Sequence, residues 1–286
     1  MSRPNVLQVG RFPARFNERL QRDYQLIRLW EQPDVLAERG ADIDIVVTSA
    51  RYGCSAEQLA QMPNLKAICS FGVGYDSIAV DDAKARGIVI STTPDVLNEC
   101  VADTAIGLVI DTARQFAASD RHVRQGKWLN GQYPLTRKVS GKKLGIVGFG
   151  RIGKDIAKRA AGFDMEIRYH KRREDPDSGY RFEANLKALA TWADFLVLAC
   201  PGGAATHHLI DAEILAALGA DGILVNIARG SVVDEQALVA ALQAGTLGGA
   251  GLDVFEDEPR VPEALFDMPN VVPVSYTHLT LPTNRE

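Results

Sequence analysis

Residues 144–161 hold the feature that most restricts the fold. Leu144-Gly145-Ile146-Val147 is an apolar run of strand length, and Gly148-Phe149-Gly150-Arg151-Ile152-Gly153 follows it at once. Beyond the loop, Ile152, Ile156, Ala157 and Ala160 share one helical face. A strand that enters a helix through glycines at this spacing predicts a dinucleotide-binding turn. Gly148 permits the tight reversal, Gly150 lets the backbone approach a pyrophosphate, and Gly153 lets the helix pack close to the sheet. The helix start at Arg151 and Ile152 then offers N–H groups and a positive dipole end to the anion.

Such a unit needs a parallel sheet with helices on its faces, and the chain has that rhythm. Strands are predicted at 6–9, 25–29, 43–48, 67–70 and 88–91, with helical stretches at 56–61 and 77–86 between them. One long helix is predicted over 100–125, stopping at Gly126, and a polar connector over 127–141. A second set of strands follows at 144–147, 166–169, 195–199, 223–227 and 250–255, with helices at 152–161, 211–218 and 234–244. The chain's 286 residues exceed one ordinary core. The expected fold class is therefore α/β, with two doubly wound parallel-sheet domains.

Charge and cysteine usage exclude several function classes. The net charge is −4 and the cations are dispersed, so no nucleic-acid partner is expected. No apolar run reaches the ~18 residues of a membrane span, and no signal-peptide stretch opens the chain, so a cytoplasmic protein without membrane contact is expected. Cys54, Cys69, Cys100 and Cys200 are far apart, which suits buried free thiols rather than disulfides or a metal site.

The second strand after the glycine loop discriminates between nicotinamide cofactors. A site selective for NAD carries Asp or Glu at that strand's tip for the ribose 2′-hydroxyl. Here the tip reads His170-Lys171-Arg172-Arg173. Cations suit a 2′-phosphate, and a guanidinium suits it best. NADP(H) is the expected cofactor, with NAD(H) secondary.

Further segments resemble the D-isomer-specific 2-hydroxyacid dehydrogenases, in matching order and spacing from about residue 65 to 272. Phe71-Gly72-Val73-Gly74-Tyr75-Asp76 is similar to their substrate-carboxylate loop, and Val101-Ala102-Asp103-Thr104 to the start of their interdomain helix. Cys200-Pro201 with Thr206 resembles their strand-end cofactor contact. Asn226-Ile227-Ala228-Arg229-Gly230-Ser231-Val232-Val233-Asp234 and Gly251-Leu252-Asp253-Val254-Phe255-Glu256-Asp257-Glu258-Pro259 are the most specific stretches. The resemblance implies a flavodoxin-like substrate domain at 1–99 and a Rossmann cofactor domain at 100–272. It implies that Val73 and Gly74 hold the substrate carboxylate. Arg229 clamps that carboxylate and the 2-oxo oxygen. Thr104, Cys200, Pro201, Thr206 and Ile227 contact the cofactor, and Asp253 meets the nicotinamide carboxamide. Glu258 supports a catalytic histidine. The implied activity is hydride transfer to a small 2-oxo acid, glyoxylate or hydroxypyruvate, by a homodimer joined through the helix after Cys100 and the connector bearing Trp128 and Leu129. The alternative is a non-catalytic dinucleotide-binding or corepressor-like protein of the same fold.

The resemblance breaks down at 273–286. The family places Pro-His-Gly shortly after the strand at 270–272, whereas this chain has Tyr276 at the histidine's place and His278 two residues later. Residues 275–286 resemble translated sequencing-adaptor read-through. The sequence thus predicts an atypical tail, a missing closing segment of the substrate domain and impaired turnover. His207-His208 are expected as the solvated start of a helix, not as a replacement acid.

Overall fold

The computed structural model describes residues 3–275. They fall into two compact units that meet between Val96 and Leu97. In the first, the strands are β1 (Asn5–Gln8), β2 (Gln25–Arg28), β3 (Ile45–Thr48), β4 (Ala67–Ser70) and β5 (Val89–Ser91). Helices α1 (Ala14–Asp23), α2 (Val35–Arg39), α3 (Ala56–Ala60) and α4 (Val80–Ala85) connect them. All pairings are parallel, in the order β2-β1-β3-β4-β5. Alternate side chains of each strand serve opposite faces. Leu7, Val46 and Ile68 pack with Leu59 and Met62 on one side, and Val6 and Val47 with Leu20 on the other. Ser55 starts α3 with a capping box, its hydroxyl accepting the Gln58 N–H and its own N–H donating to Gln58 Oε1.

The second unit opens with α5 (Asn98–Arg114) and α6 (Phe116–Arg124). The single helix expected over 100–125 is thus two. Gln115 adopts a left-handed conformation at φ 52°. Asp111 Oδ1 accepts the Ala117 N–H at 2.9 Å, which caps the new first turn. The apolar face of α5 does not extend into α6, where Phe116 and Val123 are exposed, but helix-compatible residues run on without a Gly or Pro to mark the break. Next come β6 (Lys143–Val147), α7 (Arg151–Ala161), β7 (Glu166–His170), β8 (Arg181–Phe182), α8 (Leu186–Trp192) and β9 (Phe195–Leu198). Then follow α9 (Ala212–Leu218), β10 (Ile223–Asn226), α10 (Glu235–Gln243), β11 (Gly249–Leu252) and β12 (Val271–Pro273).

These strands form one parallel sheet in the order β12-β11-β10-β9-β6-β7-β8. Both faces are covered, so central strands read as unbroken apolar runs. In β9, Phe195 and Val197 face the core built with α5 and α7, while Leu196 and Leu198 face the core built with α8, α9 and α10. The expected strand 250–255 ends at Leu252, because Asp253 begins a loop.

Candidate functional site

Both sheets reverse direction once. In the second unit the chain runs outward from β6 through β7 to β8 and then returns to place β9 on β6's other side. A crevice opens at such a switch point, beyond the strands' carboxyl ends. The glycine loop leaves β6 there and Cys200-Pro201 leaves β9 beside it. Gly148 has φ +93°, and a Cβ on it would stand 2.5 Å from Cys200 N. A Cβ on Gly153 would overlap the Gly148 carbonyl. Gly150 differs, since a Cβ there meets no protein atom within 4 Å. The fold itself therefore demands glycine at 148 and 153 but not at 150, where space is left for a ligand. No side chain caps α7, which leaves its N-terminal dipole to an anion.

The basic tip of β7 is shaped by an aromatic stack. Phe149 and Tyr169 are buried with centroids 4.2 Å apart. The Tyr169 hydroxyl donates to Asp175 O at 3.0 Å and accepts the Asp175 N–H at 2.9 Å, closing the loop 170–175. Asp175 also pairs with Lys154 of α7 at 2.8 Å, which holds its carboxyl below the usual range. His170 Nδ1 lies 2.9 Å from the Glu183 carbonyl oxygen, and Lys171 reaches Phe149 O and Asp175. Arg172 and Arg173 are exposed and have no hydrogen bond or ion pair among the described residues. Of the four expected phosphate ligands, two are engaged by other protein groups and two are uncommitted. Sequence reasoning missed Tyr169, Lys154 and Asp175 as the loop's supports, because their separation along the chain carries no periodic signal.

At the end of β10, buried Asn226 folds the next turn. Its Oδ1 accepts the Ala228 N–H at 3.0 Å and its Nδ2 donates to Arg229 O at 2.9 Å. Asn followed by such a turn is a legible Asx signal, so this positioning role was within reach of the sequence. Arg229 is half-buried, with Nη1 donating to Ala228 O at 2.6 Å. Gly230 packs so close that a Cβ would overlap the Phe255 carbonyl, which joins the Arg229 loop to the loop after β11. In that loop Asp253 is 3% exposed and its N–H donates to Asn226 O at 3.0 Å. Burial, and then the charge of Glu258, push the Asp253 carboxyl up to about 7. Glu258 Oε1 accepts the Phe255 N–H at 3.2 Å, ahead of a cis bond to Pro259.

Burial also raises the half-buried Cys200 thiol to about 11, so it is protonated at neutral pH. The Thr206 hydroxyl donates to Pro201 O at 2.8 Å and the Thr104 hydroxyl to Cys100 O at 3.0 Å. Ile227 is buried. In the first unit, Val73 and Gly74 follow β4. The Ser70 hydroxyl donates to Gly74 O at 2.8 Å, and among the described residues the N–H groups of Val73 and Gly74 have no partner. Two adjacent unpaired donors suit a carboxylate. Tyr276 and His278 lie outside the described residues.

Comparison with known proteins follows the same lines. A family model described as the NAD binding domain of the D-isomer specific 2-hydroxyacid dehydrogenases matches residues 106–277. A glyoxylate/hydroxypyruvate reductase of Arabidopsis thaliana is 45% identical over 270 residues, covering 93% of this chain and 86% of its own length. A hydroxyphenylpyruvate reductase of Plectranthus scutellarioides is 43% identical with the same coverage. Among solved structures, the NADPH-dependent glyoxylate/hydroxypyruvate reductase of Sinorhizobium meliloti, in complex with NADP and malonate, superposes with a TM-score of 0.87. It is 42% identical, and the match covers 95% of this chain and 85% of that one.

Proposed function

Because the chain belongs to the D-isomer specific 2-hydroxyacid dehydrogenase family, we propose that it reduces small 2-oxo acids of the glyoxylate and hydroxypyruvate type and prefers NADPH to NADH. The observation that carries the reading is the set of groups at the carboxyl edge of the second sheet. Open Gly150, uncapped α7, uncommitted Arg172 and Arg173, and Arg229 locked by Asn226 all lie there. The names of the similar proteins support the substrate class and favour an enzyme over a non-catalytic binder. The NADP bound in the Sinorhizobium meliloti relative supports the cofactor preference.

On this reading the loop 148–153 and the start of α7 hold the pyrophosphate, and Arg172 and Arg173 hold the 2′-phosphate. Thr104, Cys200-Pro201, Thr206 and Ile227 border the cofactor. A nicotinamide dinucleotide held by these residues would supply the hydride that the substrate's 2-carbon needs. Val73 and Gly74 of the first unit bind the substrate carboxylate. The Arg229 fork draws electron density toward the 2-oxo oxygen, making the carbon more electrophilic and stabilising the forming alkoxide. One proton must reach that oxygen, and Glu258 orients the group that delivers it. Asp253 faces the carboxamide. In its protonated form, which its raised pKa keeps accessible near neutrality, it donates as well as accepts.

NADPH consumption with glyoxylate or hydroxypyruvate tests the proposal. Turnover with both acids, faster with NADPH than with NADH, is expected. Nucleotide binding without turnover of any 2-oxo acid would overturn it.

A further inference from the structure

The dehydrogenase reading leaves His207 and His208 without a role. They do not begin α9, whose cap is Asp211, but lie in the loop after the 3-10 turn Ala204–Thr206. The fold brings Glu256, from the loop after β11, to this pair. His208 Nε2 is 2.9 Å from Glu256 Oε1. The two imidazoles stack with centroids 3.9 Å apart at 27°. One ligand atom from each of the three residues lies within 4.8 Å of the others, and no other such group occurs among the described residues.

Successive side chains on an extended backbone point in opposite directions. His208 avoids this by adopting φ +48°, a left-handed conformation that costs about 1–2 kcal/mol for a residue with a Cβ. The ligand-bearing backbone is held by bonds that do not involve the ligand atoms. His208 N donates to Ser231 O at 2.8 Å, and Glu256 N donates to Glu235 Oε1 at 3.1 Å. Gly230, wedged on the Phe255 carbonyl, fixes the approach of the Glu256 loop to the segment whose Ser231 O holds His208 N. Positions set by surrounding structure in this way are what a metal site requires.

We propose that His207, His208 and Glu256 form a binding site for a divalent transition-metal ion of the zinc type. Two imidazole nitrogens and one carboxylate oxygen suit zinc, cobalt or nickel, whereas magnesium and calcium take oxygen ligands. Ligand atoms around tetrahedral zinc stand about 3.3 Å apart, given bonds of about 2.0 Å. His208 and Glu256 need therefore separate only slightly. The stacked rings must splay, and the exposure of His207 permits that rotation. The ion ties the loop carrying Thr206 to the loop carrying Glu258. If the proposed function holds, zinc then also slows turnover by restraining both.

Zinc titration of the tag-free chain against a competing chelator tests the site, with melting temperature as a second readout. The parent and a His122→Ala control should bind one zinc ion and melt higher with it. His207→Ala and Glu256→Gln, with unchanged circular dichroism, should each lose at least about tenfold in affinity, the lower limit seen when mere supports of a ligand are removed. Unchanged affinity in either variant, or no zinc-dependent rise in the parent, overturns the site. Zinc binding that follows this pattern but leaves reductase turnover untouched overturns only the coupling of the two loops. Absence of turnover in metal-free protein counts against the proposed function and not against the site.

Discussion

At the residue scale, charge placement bears on the proposed cofactor preference and on the response to pH. Arg172 is exposed and makes no hydrogen bond or ion pair among the described residues, so replacing it leaves the fold intact and, on the proposed reading, removes a ligand of the 2′-phosphate. Arg172→Ser should weaken NADPH binding by about 1.5–3 kcal/mol, the worth of a charge-assisted hydrogen bond, while NADH binding stays put. Competitive nucleotide titration measures this, and parallel losses for both nucleotides would count against the assignment. Asp253 carries a different consequence. Its folded-state pKa, about 7, lies above the ordinary 3.8. The folded form thus holds the proton more tightly than the unfolded chain does. That stabilisation is complete below pH about 4 and is lost as pH rises through about 7. Asp253→Asn removes the charge from the buried site. It should raise the melting temperature relative to the parent at pH about 8 by an amount equivalent to at most a few kcal/mol, with the gain shrinking toward pH about 4. A pH-independent difference would show that Asp253 does not titrate in this range.

At the scale of elements, the glycine loop separates folding from binding. Gly148→Ala forces a Cβ toward Cys200 N at a φ that alanine resists, and should cost more than about 2 kcal/mol of stability. Gly150→Ala meets open space. It should leave the stability of the cofactor-free protein within about 0.5–1 kcal/mol of the parent's, the helix-cap cost, yet weaken nucleotide affinity strongly. Thermal melts with and without nucleotide distinguish the two. Equal destabilisation by both substitutions would mean that Gly150 is structural and that the loop's open cradle has been misread.

At the scale of the whole molecule, the second unit exposes apolar surface. Trp128, Leu129 and Leu135 are 65%, 91% and 103% exposed, on the connector after α6. Exposed apolar side chains concentrated on one segment mark an association surface, and a buried Trp is a frequent anchor in such surfaces. A homodimer is expected by light scattering at micromolar concentration, and Trp128→Ser with Leu129→Ser should shift it to monomer. A parent that is monomeric at that concentration would rule out the assembly. No helix among the described residues is long and apolar enough to cross a membrane.

Periodicity and turn chemistry are local, and they made most of the architecture legible in the sequence. The ten strands expected from the sequence are all present, because a sheet covered on both faces demands continuous apolar segments in its central strands. The glycine loop was readable because each glycine answers a steric demand of its own turn. Short elements with few apolar residues, such as α2 and β8, carried too little signal, and the αL break at Gln115 was hidden because helix-compatible residues continue on both sides of it. What tertiary structure alone decided is which distant groups meet. Only folding turned Lys171 toward Asp175 while leaving Arg172 uncommitted, and only the parallel register of β10 against β11 set Asn226 O beside Asp253 N. The pairing of β10 with both β9 and β11 brought Glu256 to His208, a contact across 48 residues of chain. Such contacts follow from strand order and burial, which are properties of the assembled sheet and leave no pattern in the neighbouring sequence.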